Sequence, residues 1–137
     1  MRIYVLSYLA TAFVFLGIDA VWLSTMGNML YRPLLGDILL EKFSLAPAAV
    51  FYLLYIGGII YFATAPAMAS GRWTTALLNG ALFGFFAYGT YDLTNQATLK
   101  VWSTTITIAD LCWGTALTAV AAVLGYIIGS AVDRAVG

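Results

Sequence analysis

The sequence predicts an all-α integral membrane protein, a bundle of four transmembrane helices with a short interfacial helix between helices 1 and 2. Of its 137 residues, 63% are hydrophobic and 9% are charged, whereas soluble domains are about 45–50% apolar and about 25% charged. The mean hydropathy is +0.94. Four apolar runs each approach the roughly 20 residues that cross the hydrocarbon core of a bilayer. A single domain covering residues 1–137 is expected at this length.

The four runs predict the transmembrane helices in chain order. The first covers about residues 3–25. Arg2 and the apolar run imitate a signal peptide, but the apolar stretch continues past Ala10-Thr11-Ala12, which favours a retained helix. The second begins at Pro47, a residue suited to the first turn of a helix. The other predicted helices are about residues 47–65, 75–96 and 104–130.

The connection between the first two helices, residues 26–46, is too long for a simple turn. Apolar residues recur in it at helical spacing, at Leu34, Leu35, Ile38 and Leu39. This pattern predicts a short helix lying in the membrane interface. It is either a connector that rests on lipid or a lid over a site beneath it.

Composition excludes several kinds of site. The net charge is zero and no basic cluster exists, which argues against a nucleic-acid partner. No histidine is present, so imidazole cannot ligate haem or zinc. The single cysteine, Cys112, cannot form an intrachain disulfide and is expected to be a small buried residue. We predict no cofactor and no metal, and the expected partner is the lipid bilayer.

Three aspartates, Asp19, Asp92 and Asp110, lie inside the apolar runs. A carboxylate within a bilayer costs roughly 2.5–3.5 kcal/mol on insertion scales. Up-and-down threading puts all three roughly 6–9 Å below the same membrane face. They cannot all stay ionised there without a counter-charge, so one is protonated or a cation is bound. Arg32 and Lys100, on loops of the same side, are the possible counter-charges.

Aromatic and polar residues accompany the aspartates at helical spacing. Asp19 with Trp22, and Asp110 with Trp113, form two Asp-x-x-Trp pairs, each on one helix face. The repetition can also be coincidental. The candidate substrate-binding or ion-binding site consists of Asp19, Trp22, Tyr88, Tyr91, Asp92, Asn95, Thr107, Asp110 and Trp113. The alternative is that such residues are hydrogen-bonded caps and an interfacial aromatic belt, the interpretation favoured for Trp73 and Trp102.

Small residues line two faces of the fourth predicted helix. Such a surface suits either packing within the bundle, the favoured interpretation, or a homodimer. The residues are Gly114, Thr118, Ala121, Ala122, Gly125 and Gly129.

Several segments resemble a bacterial membrane family catalogued as a domain of unknown function, number 2177. The resemblance lies in residues 85–95, 99–102 and 109–115, in Asp19-Ala-Val-Trp-Leu23 and in the Tyr31-Arg32 step. It implies a four-helix, multi-pass protein of the bacterial inner membrane and no particular activity. Basic residues divide equally between the two sides, so they do not fix the orientation. We favour cytoplasmic termini.

Three functions remain open from the sequence, in order of preference. The first is a transporter of a small solute or ion, in which Asp92 and Asp110 carry a coupling proton or cation and Asp19 completes the site. The second is a non-catalytic accessory or lipid-binding subunit of a membrane complex. The third is a membrane-embedded enzyme that modifies lipids.

Overall fold

The computed structural model describes residues 1–137, of which 89% are helical and none lies in a strand. The predicted all-helical class is therefore confirmed. Four long helices run up and down: α1 (Arg2–Met26), α2 (Leu45–Ser70), α3 (Trp73–Thr98) and α4 (Thr104–Val136).

Three helical stretches are long and apolar enough to cross a membrane: Arg2–Ile38, Leu45–Ser70 and Thr104–Val136. With 26 residues, α3 has the length of a span, but its hydropathy is lower. Its sequence explains the difference, because glycine, asparagine, threonine, tyrosine and Asp92 interrupt the apolar residues. Length and composition thus support three of the four predicted spans.

The predicted interfacial helix is not a separate element. Instead α1 continues through a π turn, a short helical stretch and a 3₁₀ turn as far as Ile38, and we call residues 27–38 the α1 extension. Trp22 and Tyr31 are hydrogen-bonded although they lie nine residues apart. A straight α-helix would separate them by about 13 Å along its axis and place them on opposite faces. The chain therefore bends at the π turn, as is common where such turns occur.

The two π turns of the chain each end two residues before a proline. Gly27–Tyr31 precedes Pro33, and Ile60–Thr64 precedes Pro66. Proline cannot donate the i to i−4 hydrogen bond of an α-helix, and its ring collides with the i−4 carbonyl. A wider turn relieves the collision, so the helix continues past the proline. This is why α2 reaches Ser70 rather than ending near residue 65 as predicted.

A side chain from α3 compensates for the backbone bond that Pro66 cannot make. The carbonyl of Phe62, four residues earlier, accepts a hydrogen bond from Asn79 Nδ2 at 3.0 Å. In an apolar environment an unsatisfied carbonyl is costly, so this contact supports the irregular turn and ties α2 to α3.

Glycines allow α4 to pack closely against α3 and α1. Contacts along the antiparallel pair α3 and α4 are Gly80 with Ala122, Gly84 with Thr118, and Tyr88 with Gly114. On another face of α4, Gly125 contacts Thr11 of α1 and Gly129 contacts Ser7. At the end of this interface lies the only ion pair of the chain, between Arg2 Nε and Asp133 Oδ1 at 2.7 Å.

The small residues of α4 are therefore used for packing inside the chain. Their surface is covered by the other helices of the chain. The six buried residues are Gly114, Thr118, Ala121, Ala122, Gly125 and Gly129. Their contacts fix α4 at the centre of the bundle, and thereby position the residues near its first turns.

Candidate functional site

A cavity of about 410 Å³ lies between the four helices, at the end of the bundle where α1 and α3 finish and α2 and α4 begin. We call this the site end. Fifteen residues line the cavity, and 13 of them are hydrophobic. Eight are aromatic: Trp22, Tyr31, Phe51, Tyr52, Tyr88, Tyr91, Trp102 and Trp113. The two charged ones are Asp19 and Asp110, and no basic side chain reaches the cavity.

Asp19 is held by donors from two other helices. Tyr52 of α2 donates its hydroxyl to Asp19 Oδ2 at 2.7 Å, and Trp113 of α4 donates its indole N–H to Oδ1 at 3.2 Å. Only 7% of the Asp19 surface is exposed. Each oxygen of the Asp19 side chain thus has one donor, and the two donors fix the orientation of the carboxyl group.

Asp110 is held by the α1 extension. The hydroxyl of Tyr31 donates to Asp110 Oδ1, and the same hydroxyl accepts a hydrogen bond from Trp22 Nε1 at 3.1 Å. Asp110 is also 7% exposed. A chain of hydrogen bonds therefore runs from the indole of α1 through the extension to the carboxylate of α4.

The two Asp-x-x-Trp pairs exchange their partners. Trp113 follows Asp110 on α4 but donates its hydrogen bond to Asp19. Trp22 follows Asp19 on α1 but donates to Tyr31, which in turn donates to Asp110. The two indoles stack with centroids 4.1 Å apart and planes 10° from parallel. The repeated motif is therefore one structural unit that joins α1 to α4, rather than two separate caps.

Asp92 lies beside Asp110 but does not line the cavity. The carboxyl groups of the two residues lie within hydrogen-bonding reach of each other. Asp92 is 0% exposed, and neither of its oxygens receives a hydrogen bond from another donor. The three aspartates thus gather at one end of the bundle, although no group of three or more Asp, Glu or Cys side chains is arranged to hold a metal ion.

The remaining predicted residues differ in their placement. Tyr88 and Tyr91 line the cavity, whereas Asn95 does not. Thr107 does not line the cavity and accepts a hydrogen bond from Trp102 Nε1 at 3.0 Å. Trp102 itself is not a belt residue, since it lines the cavity and meets Tyr91 edge-on at 5.9 Å.

The side chains predicted as counter-charges are exposed. Neither Arg32 nor Lys100 forms an ion pair with an aspartate. One residue along a helix turns the side chain by about 100°, so with Tyr31 directed to the cavity, Arg32 is directed away from it. Cys112 is exposed as well, contrary to its predicted burial, because it lies two positions from Asp110 on α4 and therefore on the opposite face.

Several residues of the site are not predicted from the sequence. Tyr31 and Tyr52 are the donors to two aspartates, yet each is far from its acceptor along the chain, 79 and 33 residues respectively. Leu35 and Leu39 also line the cavity together with Tyr31. The α1 extension thus contributes Tyr31 and Leu35 to the lining of the cavity.

Comparison with known proteins gives one match. The model of a family described as a predicted membrane protein, DUF2177, matches residues 4–127. No curated protein and no solved structure matches the chain.

Proposed function

The chain belongs to the DUF2177 family of predicted membrane proteins, and we propose that it is a permease that couples the movement of a small solute to protons. The family description names no activity, so the proposal rests on the site. In it, Asp92 and Asp110 carry the coupling proton, Asp19 completes the site, and Trp22, Tyr88 and Trp113 form its walls.

The outer surface supports insertion of all four helices into a membrane. Only 27 of the 137 residues are buried, and large apolar side chains such as Phe13, Leu53, Phe86 and Ile108 are exposed on each of the four helices. A soluble monomer rarely exposes so much contiguous apolar surface. The lower hydropathy of α3 comes partly from Gly80, which packs against α4, and Asp92, both of which are buried.

The single observation that carries the proposal is the position of the Asp92 carboxyl group. It is completely buried, it has neither a basic partner nor another donor, and it adjoins a carboxyl group that faces the cavity. Two adjacent negative charges in apolar surroundings repel each other, and a proton bound between them would relieve that repulsion. Intramembrane carboxyl groups in such positions commonly form proton relays.

The pair can connect proton transfer to the cavity. With one proton shared between the two carboxyl groups, the pair carries one negative charge and Tyr31 donates to Asp110. When that proton leaves, the negative charge next to the cavity increases by one. A solute that enters or leaves at this moment changes the stability of the protonated pair, and this mutual dependence is what couples the two movements.

Proton movement in liposomes tests the proposal. The purified protein is reconstituted with the pH-sensitive dye pyranine in the lumen, and outward or inward gradients of an organic amine, an amino acid or a sugar alcohol are imposed separately. At least one of the three solutes is expected to change the luminal pH. Asp92→Asn, which keeps the shape of the side chain, should abolish the change, whereas Glu41→Gln, at an exposed carboxylate outside the cavity, should preserve it.

Two outcomes contradict the proposal. One is an equal change of luminal pH in Asp92→Asn, which would show that the buried carboxyl group carries no proton during transport. The other is the absence of any change for every solute class in protein that folds normally by circular dichroism.

A lipid-binding accessory role is the second candidate, because 13 of the 15 lining residues are hydrophobic. A site for one acyl chain would have such a lining. Mass spectrometry of the purified protein distinguishes the two: a lipid retained at one per chain, in wild type and in Asp92→Asn alike, favours the accessory role.

A further inference from the structure

We propose that the solute of the cavity is an organic cation of quaternary ammonium type with an apolar or aromatic substituent. This inference deepens the proposed function by naming the substrate class, and it rests on that function where transport is concerned. Binding of the cation, however, can be measured by itself.

The charge of the cavity supports a cationic ligand. Asp19 and Asp110 are its only charged lining residues, and Asp92 lies directly behind Asp110. No ion pair neutralises any of the three. An anionic ligand would be repelled by two carboxylates in a surrounding of low dielectric constant, whereas a monovalent cation is attracted to both and offsets one of the two charges.

The aromatic residues support an organic rather than an inorganic cation. Eight of the 15 lining residues are aromatic, including three tryptophans. Aromatic faces attract cations, tryptophan most strongly, and cages of this kind recognise quaternary ammonium groups. A small inorganic cation would instead need several oxygen ligands to replace its water, and the lining offers mostly carbon.

The hydrogen bonds already present are compatible with a cation that cannot donate one. Both oxygens of Asp19 are occupied, by Tyr52 and by Trp113, and Asp110 Oδ1 is occupied by Tyr31. Each of these oxygens retains one further acceptor position, which a quaternary ammonium group does not require. A quaternary ammonium group needs only charge and ring faces, so its binding leaves these hydrogen bonds intact.

The size of the cavity limits the ligand. A volume of about 410 Å³ lies in the lower part of the range of roughly 300–1,000 Å³ that is usual for ligand pockets. One aromatic ring with a trimethylammonium group is accordingly a suitable probe, and a long-chain lipid would extend beyond the cavity.

A matched series of ligands tests the inference on the wild-type protein in lipid nanodiscs. The probes are benzyltrimethylammonium, its uncharged carbon isostere neopentylbenzene, and benzenesulfonate, with tryptophan fluorescence as the readout and empty nanodiscs as the correction for partitioning. We expect saturable binding of benzyltrimethylammonium alone. Equal binding of the isostere, or tighter binding of the sulfonate, would overturn the inference.

Two substitutions with matched controls locate the binding. Asp19→Asn removes one lining charge, and Trp22→Leu removes one ring; each should weaken binding of benzyltrimethylammonium about tenfold, which corresponds to about 1.4 kcal/mol. Glu41→Gln and Trp73→Leu make the same changes at exposed positions outside the cavity and should leave binding unchanged. Unchanged binding in both cavity variants would also overturn the inference. The ligand series uses the wild-type protein, so it remains a valid test even if one variant fails to fold.

The liposome measurement separates this inference from the proposed function. If benzyltrimethylammonium binds but none of the imposed solute gradients changes the luminal pH, the cation site is supported and proton-coupled transport is contradicted. A change of luminal pH driven by a sugar alcohol, together with no binding of benzyltrimethylammonium, overturns the inference and leaves the proposed function standing.

Discussion

Tyr31 connects two carboxylate-containing helices through a single hydroxyl group, which donates to Asp110 and accepts from Trp22. Tyr31→Phe removes both hydrogen bonds while the ring remains. We expect the free energy of unfolding to fall by about 1–2 kcal/mol. Because Tyr31 belongs to the α1 extension, amide hydrogen exchange over residues 27–38 should accelerate more than in the rest of the chain.

The control for this substitution is Tyr61→Phe, since Tyr61 is 73% exposed and makes no hydrogen bond through its side chain. It should change neither the stability nor the exchange rates. Equal acceleration in both variants, or none in Tyr31→Phe, would contradict the role of Tyr31 in holding the extension.

The stacked indoles of Trp22 and Trp113 give a second prediction at the residue scale. With centroids 4.1 Å apart, their electronic transitions should couple and produce a paired positive and negative band in the circular dichroism spectrum. Trp22→Phe and Trp113→Phe should each abolish this feature completely, because a coupled pair needs both members. Trp73→Phe, at a tryptophan outside any stack, should leave the feature in place. A spectrum that loses half of the signal in each variant would mean that the indoles do not stack.

The sequence indicates which residues are costly to bury but not which of them meet. The aspartates are visible because carboxylates are rare in apolar helices, and the structure places all three at one end of the bundle. The donors Tyr31 and Tyr52 were not identified, because their contacts depend on a bend in the α1 extension and on the rotation of α2. Neither quantity follows from local spacing. The belt interpretation of Trp102 was wrong for a related reason, since a position near a helix end does not decide whether a ring faces lipid or the cavity.

At the scale of helices, close packing of α3 on α4 requires glycine at Gly84. A Cβ atom there would lie 2.7 Å from Thr118 Oγ1 and closer still to the carbonyl oxygen of Gly114. Gly84→Ala should therefore lower the free energy of unfolding by about 1–3 kcal/mol, through displacement of one helix from the other. Equilibrium unfolding in mixed detergent micelles measures the change.

Gly17→Ala is the matched control, because a Cβ atom at Gly17 meets nothing within 4 Å. Alanine is the better helix former by about 1 kcal/mol, so this variant should be as stable as wild type or more so. Similar losses of stability in both variants would indicate that the cost arises from the helix backbone and not from the interface between α3 and α4.

The existence of the four helices could be predicted from hydropathy, whereas the irregular turns could not. Pro33 and Pro66 are visible in the sequence, and proline inside a helix usually ends it. Here both helices continue through π turns, and at the second one Asn79 of another helix satisfies the carbonyl of Phe62. Such compensation is a tertiary contact. For this reason α2 is longer than predicted and the interfacial helix is continuous with α1.

For the whole molecule, up-and-down threading predicts which segments share a side of the membrane. The ion pair between Arg2 and Asp133 places both termini at one end, together with the turn at Gly71 and Arg72, where a left-handed glycine ends α2. The site end carries residues 39–44 and 99–103.

Reporter fusions check this arrangement in cells. A fusion after Gly137 and an insertion at Gly71 should give the same cytoplasmic signal, and an insertion at Glu41 the opposite one. A signal shared by Gly71 and Glu41 would contradict four membrane crossings. If all three signals are the reverse of those expected, the four membrane crossings are supported but the termini are not cytoplasmic.

The exchange of tryptophans between α1 and α4 restricts how the molecule can move. A slide of α1 along α4 by one helical turn, about 5.4 Å, would break the hydrogen bond from Trp113 to Asp19. It would also break the contacts of Ser7 and Thr11 with Gly129 and Gly125. These two helices therefore form a rigid frame. The α1 extension, by contrast, is attached to the α4 side of that frame at the site by the single hydrogen bond from Tyr31 to Asp110. Any opening of the cavity should therefore swing the extension aside while the frame of α1 and α4 stays in place.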